Sequence, residues 1–193
     1  MDEPQAKPRP GYGEGRQALI DAAIEVVARA GLRGLTNRAV AREAGVTQGL
    51  VAHHFGSRAE LIREALEHAA RTSIERSTLE PESGQIDDLA AGLAQLVADD
   101  VHGQAFQYEL ALEARRNPEL ELAARALYES YLAATAHALA TVGIPANPAL
   151  ARVVFAALDG LVFQQLLFGH PELTDAALEE LRSVLRLLRD AKA

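Results

Sequence analysis

The side chains best suited to recognition chemistry lie close together in the stretch Leu35–Phe55. Gln48 can hydrogen-bond the edge of a base, and Leu50 can touch the methyl group of a thymine. Gly49, between them, has no side chain and lets a backbone come close. These residue types at successive positions predict a surface that reads base edges in the major groove of DNA.

Phosphate contacts are predicted on either side of these residues. Thr36 and Thr47 stand where helices begin, and the free N–H groups of a helix start favour a phosphate. Arg38 can reach a guanine edge or a phosphate, and Arg58 can hold the backbone just after the stretch. Arg42 either contacts DNA or lies on a solvated helix face. The predicted DNA-binding residues are Thr36, Asn37, Arg38, Thr47, Gln48, Gly49, Leu50, His53 and Arg58.

Two short helices must position these side chains. Thr36 caps the first, which runs to Ala44, and Gly45 ends it; Thr47 caps the second, which runs to about His54. A tight turn between two short helices is the geometry of a helix-turn-helix, whose second helix enters the major groove. A plain helical hairpin with solvated arginine and glutamine side chains is the alternative.

The rest of the chain is predicted to be helical as well. Apolar residues recur at three- and four-residue spacing from Arg16 onward, no stretch alternates as a strand does, and alanine and leucine dominate. We therefore predict an all-α fold of about nine helices, with a three-helix head that carries the helix-turn-helix and a C-terminal helical body. Besides the two short helices, the predicted helices span residues 16–30, 57–77, 86–100, 103–116, 118–142, 148–168 and 174–190. Ser57 and Glu60 form a capping box at the start of the fourth.

Proline and glycine mark the divisions of the chain. Residues 1–15 hold three of the eight prolines and predict a disordered arm. Its Lys7 and Arg9 either enter a minor groove or stay solvated. Pro81-Glu82-Ser83-Gly84 interrupts the helical pattern, so we predict a DNA-binding domain over 16–77 and a second domain over 78–193.

The stretch resembles the DNA-binding segment of the TetR family of bacterial transcriptional regulators. One departure is Ala52, where the family commonly has a tyrosine that contacts a phosphate. Either His53 supplies that contact or the protein binds DNA with one contact fewer. The residues that match the family pattern are Thr36, Val40, Ala41, Ala44, Gly45, Val46, Thr47, Gly49, Val51, His54, Phe55, Ser57, Arg58 and Leu61.

The resemblance implies a homodimer that binds a palindromic operator, and a body that encloses a small-molecule effector. The last two helices would pair with their copies, and both carry wide apolar faces; the alternative is that these faces are ordinary core. We therefore expect a repressor that a small-molecule ligand releases from DNA. The predicted ligand-binding residues, each of which also has a purely structural interpretation, are Gln104, Tyr108, Tyr131, Phe155, Asp159 and Phe163, from a wider polar and aromatic set that includes Tyr128.

Several other classes are disfavoured by composition. With no cysteine among 193 residues, disulfide scaffolds and thiolate sites are excluded. The six histidines show no metal-ligand spacing, and no nucleophile–base pair is evident, so we expect no metal, no cofactor and no enzyme activity. Val153–Phe168 is interrupted by polar residues, so we expect no membrane association and a cytoplasmic protein. A helical protein–protein adaptor without DNA binding is the remaining alternative.

The net charge of −8 is unevenly distributed along the chain. Residues 16–58 contain six arginines and three carboxylates, which gives +3, whereas residues 77–193 contain eight basic and seventeen acidic residues, which gives −9. A head with so little positive charge should bind random DNA weakly and depend on direct base contacts.

Overall fold

The computed structural model describes residues 15–76, 79, 83–145 and 147–191. Over these residues the chain contains nine α-helices and no strand, which confirms the all-α prediction. The predicted arm, apart from Gly15, lies outside the described residues, as do Pro81 and Glu82 of the predicted interruption.

The first four helices follow the local signals closely. They are α1 (Gly15–Gly34), α2 (Asn37–Glu43), α3 (Gln48–Phe55) and α4 (Arg58–Arg76). Gly31 interrupts α1 with a φ of 65°, one residue after the predicted end of the helix. At the start of α4, Ser57 Oγ accepts a hydrogen bond from the Glu60 N–H at 3.1 Å. The predicted capping box is only half formed, because the Ser57 N–H donates to the Phe55 carbonyl and the Glu60 carboxylate accepts from Arg63 instead. The hydrogen bond from Arg63 lowers the pKa of Glu60.

The predicted continuous helix over residues 86–100 is wrong. A 3-10 turn at Ile86–Asp88 precedes α5 (Leu93–Asp99), and between them Ala90 has a φ of 54°. Such a backbone costs about 1–3 kcal/mol for a residue with a side chain. The Arg182 guanidinium offsets it by donating two hydrogen bonds, of 3.1 and 2.9 Å, to the Leu89 carbonyl. A charged partner far along the chain overrides the helical pattern here.

The last four helices agree with the predicted positions to within a turn. They are α6 (Val101–Ala114), α7 (Pro118–Thr141), α8 (Pro148–Phe168) and α9 (Pro171–Asp190). Asn147 Oδ1 caps α8 by accepting from the Leu150 N–H at 2.8 Å, and Gly169 ends it with a φ of 65°. Pro171 is the first residue of α9, where its missing N–H costs nothing in the first turn.

The chain packs into two compact units that do not coincide with the predicted sequence domains. The first contains the described residues up to Ala69 together with Ala105–Ala124. The second contains Ala70–Gln104 and the described residues from Arg125 onward. Its core contains completely buried side chains from both of these chain segments, among them Leu89, Leu139 and Ile144. Residues 105–124 thus pack with the head, although they follow the predicted boundary.

α8 is the most apolar helix of the second unit. By length and composition only, it is the one described helix that could cross a bilayer, with a mean hydropathy of 1.5 over 18 residues. Only 28% of that window is buried, so most of this apolar helix remains accessible.

Candidate nucleic-acid interface and ligand site

The helix-turn-helix has the predicted two short helices and turn, but the predicted cap at Thr47 is wrong, since its side chain accepts no capping hydrogen bond. Thr36 Oγ1 accepts a hydrogen bond of 3.1 Å from the Ala39 N–H and caps α2. Gly45 turns the chain with a φ of 69°, and the following Val46 N–H donates to the Ala41 carbonyl at 2.9 Å. These contacts set the direction in which α3 leaves α2.

The inner face of α3 is fixed in the first unit by apolar packing. Val51 and Phe55, one turn apart, are 2% and 5% exposed. The Arg16 guanidinium lies over the Phe55 ring at 5.4 Å from its centre and pairs with the buried Glu64 carboxylate. Arg16 is therefore occupied within the fold.

The outer face of α3 carries the predicted base-reading residues. Gln48, Gly49 and His53 are exposed, and Thr47 is exposed at the start of the helix without a capping hydrogen bond from its side chain. A Cβ placed on Gly49 would meet no atom within 4 Å. Nothing in the free chain requires a glycine at this position.

Two of the predicted DNA-binding residues are less accessible than expected. Asn37 and Leu50 are both half-buried. A Cβ on Gly15 would lie 3.6 Å from Leu50 Cδ2, so this methyl group faces the start of α1. Contact of Leu50 with a thymine methyl therefore stays a prediction.

An aromatic cluster in the second unit gathers three of the six predicted ligand residues. Tyr131 stacks on Phe155 with ring centres 5.7 Å apart, and Tyr128 meets the same ring edge-on at 5.7 Å. Burial, and secondarily the nearby Asp159 carboxylate, raise the pKa of Tyr128. Tyr131, Phe155 and Asp159 thus share one environment, together with Tyr128. We call these four residues the aromatic cluster.

The other three predicted ligand residues lie elsewhere. Gln104 is buried and donates a hydrogen bond of 3.1 Å to Ser73 Oγ, while Phe163 is 40% exposed on α8. Tyr108 is half-buried in the first unit. A half-open cavity of about 570 Å³ beside α5 is lined by residues that include Val97 and Gln165, and by none of the predicted ligand residues.

Two family models match the chain. Residues 19–65 match the model of bacterial regulatory proteins of the tetR family. Residues 84–188, more than half of the chain, match the tetracyclin repressor-like C-terminal domain. The chain belongs to the TetR family.

Individual TetR-family relatives match nearly the whole chain. The HTH-type transcriptional regulator BetI of Burkholderia thailandensis is 32% identical and covers 96% of this chain and 100% of its own length. The multidrug binding protein EbrR, solved with imidazole, is 33% identical over 90% of this chain and 94% of its own, with a TM-score of 0.66. A TetR-family structure from Streptomyces coelicolor A3 is 33% identical over 91% and 98%, with a TM-score of 0.69.

Family membership gives the general function. This TetR-family chain is a ligand-responsive, DNA-binding transcriptional regulator. The family consists of regulators rather than enzymes. Its members bind DNA operators and small-molecule effectors as dimers, and they are soluble DNA-binding proteins.

The structure gives Arg58 a use that its position in the TetR motif does not reveal. Its Nε donates to the Leu35 carbonyl at 3.0 Å, and one of its terminal nitrogens donates to the Leu32 carbonyl at 2.8 Å. Both hydrogen bonds hold the turn between α1 and α2. The predicted phosphate contact of Arg58 therefore competes with a structural role.

Glu109 supports the same turn, a role that the sequence did not indicate. Its carboxylate accepts a hydrogen bond of 3.3 Å from the Leu32 N–H. A Cβ on Gly31 would lie 3.0 Å from Glu109 Oε1, so the glycine makes room for this approach. The sequence predicted Gly31 as a helix stop but held no signal for a partner 77 residues away.

Proposed function

We propose that this chain is a cytoplasmic, homodimeric repressor that binds a palindromic operator and leaves it when a small-molecule effector binds. The observation that carries the proposal is the outer face of α3. It presents Gln48 and the uncovered Gly49 to solvent, while Val51 and Phe55 anchor the opposite face. A helix held from behind with such a face suits insertion into a major groove.

The proposed division of labour follows the exposure of the head residues. Gln48 reads a base edge, with Gly49 allowing close approach, whereas Thr36, Thr47 and His53 approach the backbone. Two copies related by twofold symmetry would read half-sites about one helical turn, or ~34 Å, apart, or a multiple of it.

The second unit supports a dimer through α8 and α9. Both helices leave large apolar side chains exposed, and a monomer seldom exposes so many on neighbouring elements. Because the resulting face is both wide and accessible, a second copy of this chain explains it better than core packing does. The exposed side chains are Val153, Phe163, Leu167 and Phe168 on α8, and Leu173, Val184, Leu187 and Leu188 on α9.

Gly160 adds a separate argument for this interface. It lies inside α8, where a glycine costs about 1 kcal/mol relative to alanine. A Cβ there would meet nothing within 4 Å, so the packing of the chain does not require the glycine. Gly160 follows Val153 by two helical turns and precedes Leu167 by two, on the same face. Close approach of the partner's α8 accounts for it.

The aromatic cluster supports a particular class of effector. Stacked tyrosine and phenylalanine faces attract cations, and the Asp159 carboxylate adds a negative charge beside them. The relative EbrR has been solved with malachite green, ethidium and proflavin. We therefore propose a planar aromatic cation as the effector of this chain.

Release requires that the effector prefers one conformation of the dimer. It lowers operator occupancy only through its difference in affinity for the two conformations. α4 contributes residues to both compact units, so this helix is the expected mechanical link.

A gel-shift selection tests DNA binding and repression. Genomic fragments are incubated with the protein, and the retained fragments are sequenced and used as templates for transcription in vitro. The proposal expects retained fragments that share a palindrome and lower transcription from them. Retention of no fragment would favour the adaptor alternative, and raised transcription would indicate an activator.

Two dyes test the effector class. Proflavin is a planar cation, whereas acridine has the same three-ring frame and is neutral at pH 8. We expect proflavin to bind more tightly and to release the retained fragment. Asp159→Asn should remove the preference for proflavin, while Glu129→Gln, an exposed carboxylate on α7, is the matched control and should keep it. Equal binding of both dyes to the unaltered protein would contradict a cationic effector.

A further inference from the structure

The six arginines of the head divide into two groups. Arg16 pairs with Glu64, Arg29 pairs with Glu43 at 2.6 Å, and Arg58 donates to two backbone carbonyls. These three cations serve the fold. The side chains of the other three are exposed and make no hydrogen bond or ion pair with the described residues: Arg33, Arg38 and Arg42.

Arg38 and Arg42 belong to the same helix and point the same way. They stand four residues apart on α2, so their side chains are neighbours on one face. The buried face of α2 is formed by Val40 and Ala41. Like charges at this spacing disfavour a helix by about 0.2–0.5 kcal/mol. The carboxylate that follows them, Glu43, is already engaged by Arg29.

A bound anion would offset the repulsion between these two cations, and the described residues of the first unit supply none to either guanidinium. In a helix-turn-helix, the first helix crosses the phosphate backbone while the second enters the groove. α2 is that first helix. Its outward guanidinium groups therefore lie where the phosphates of DNA pass. One planar guanidinium group binds two phosphate oxygens at the same time.

We infer that Arg38 and Arg42 together form a phosphate clamp on α2, and that Arg58 acts behind it as a positioning residue. The inference rests on the proposed operator binding and goes further by assigning a contact to Arg42. It also places the phosphate contact on α2 rather than at Arg58, the first residue of α4. Arg38 is then a backbone contact rather than a reader of guanine.

The salt dependence of DNA binding tests the clamp. The probe is a fluorescently labelled 30-base-pair duplex of random sequence, which needs no knowledge of the operator, and binding is followed by anisotropy between low and moderate salt. Each phosphate contact contributes about 0.9 to the slope of log K against log salt. Arg42→Ala and Arg38→Ala should each lower the slope by about 1.8 per dimer, since two copies lose the contact.

Three variants separate the clamp from overall charge and from folding. Arg71→Ala removes one exposed charge from α4, about 20 Å along the helix from its start, and should leave the slope unchanged. Arg33→Ala removes an exposed charge from the head outside α2 and should also leave it unchanged. Arg42→Lys keeps the charge and should keep the slope. Circular dichroism checks that every variant is folded.

The outcomes are distinct. A lower slope for Arg38→Ala and Arg42→Ala alone supports the clamp. An unchanged slope for Arg42→Ala, or an equal loss for Arg33→Ala, overturns it, because charge at large would then explain the binding. A lower slope for folded Arg58→Ala overturns the reassignment of that residue. If the unaltered protein binds neither this duplex nor any genomic fragment, the proposed operator binding itself fails.

Discussion

The outer faces of α3 and α8 both contain a glycine, but they differ in the side chains that surround it. Each has a glycine within the helix, Gly49 or Gly160, whose Cβ would meet nothing within 4 Å. Around Gly49 the exposed side chains are mostly polar, whereas around Gly160 they are mostly apolar. A glycine that its own fold does not require indicates close approach of something else, and the surrounding side chains indicate its chemistry.

The charges of the two regions sharpen this contrast. Residues 16–58 carry +3 and residues 77–193 carry −9. The positive charge of the first region suits binding to DNA, a hydrated polyanion. The second region is acidic but carries an apolar stripe, which suits binding to a second copy of the chain. At short range the free energy gained by burying apolar area outweighs the screened repulsion between like charges. The predictions below set one face against the other.

The largest effect is expected on the apolar face. Leu167→Glu should weaken self-association at least 100-fold, or about 3 kcal/mol, because two unpaired carboxylates would be buried in the interface. Sedimentation equilibrium measures the constant. Leu122→Glu is the matched control, since Leu122 is 77% exposed but lies on α7 in the first unit, and it should leave the dimer intact. An unchanged constant for Leu167→Glu would remove α8 from the interface.

The polar face should respond in specificity rather than assembly. Gln48→Ala should lower operator affinity by about 1–3 kcal/mol and relax the base preference at one position of each half-site, because a base-edge hydrogen bond is lost. Repeating the genomic selection with the variant measures the preference. The dimerisation constant should not change. An identical consensus sequence for the variant would show that Gln48 reads no base.

Gly49→Ala should affect the free and the DNA-bound protein in opposite directions. Alanine favours the helix by about 1 kcal/mol and meets no atom in the free chain, so the melting temperature should rise. Operator affinity should fall about tenfold as the methyl group meets the DNA. A variant that is more stable and binds equally well would contradict close approach at α3.

Gly160→Ala makes the corresponding test of α8, with the smallest expected effect. The helix should again gain about 1 kcal/mol in the monomer, while self-association weakens severalfold because the partner helix must move away. Chemical denaturation at several protein concentrations separates the two contributions. Stronger self-association would place Gly160 outside the crossing point of the helices.

The helix-turn-helix was predictable because its signals are local. Thr36 and Gly45 act on residues no more than five positions away, through a cap and a positive φ. The break before α5 has one local signal, Gly92, which precedes the helix with a φ of 74°. The positive φ of Ala90 has none, and the Arg182 side chain that donates to the neighbouring Leu89 carbonyl lies 93 residues away, where a periodic apolar pattern contains no record of it.

For a similar reason, only some of the predicted ligand residues meet in the structure. Phe155 and Asp159 lie one turn apart on α8, so their proximity follows from helical spacing. Tyr131 joins them only because α7 packs against α8, and Gln104 turns out to bind Ser73 instead. Residue type suggested a common use for all of them, but packing decided which of them meet.

Short-range backbone preferences and composition specify the all-α fold, most helix boundaries, the position of the recognition helix and the separation of charge between head and body, so these follow from the order of residues alone. Which cations remain available for a partner depends on how the chain packs. Arg58 and Arg42 look alike in the sequence, yet one holds two backbone carbonyls 23 and 26 residues away and the other faces solvent. Hydrogen bonds between distant residues form only when the chain is folded, and they decide which charges remain for a partner.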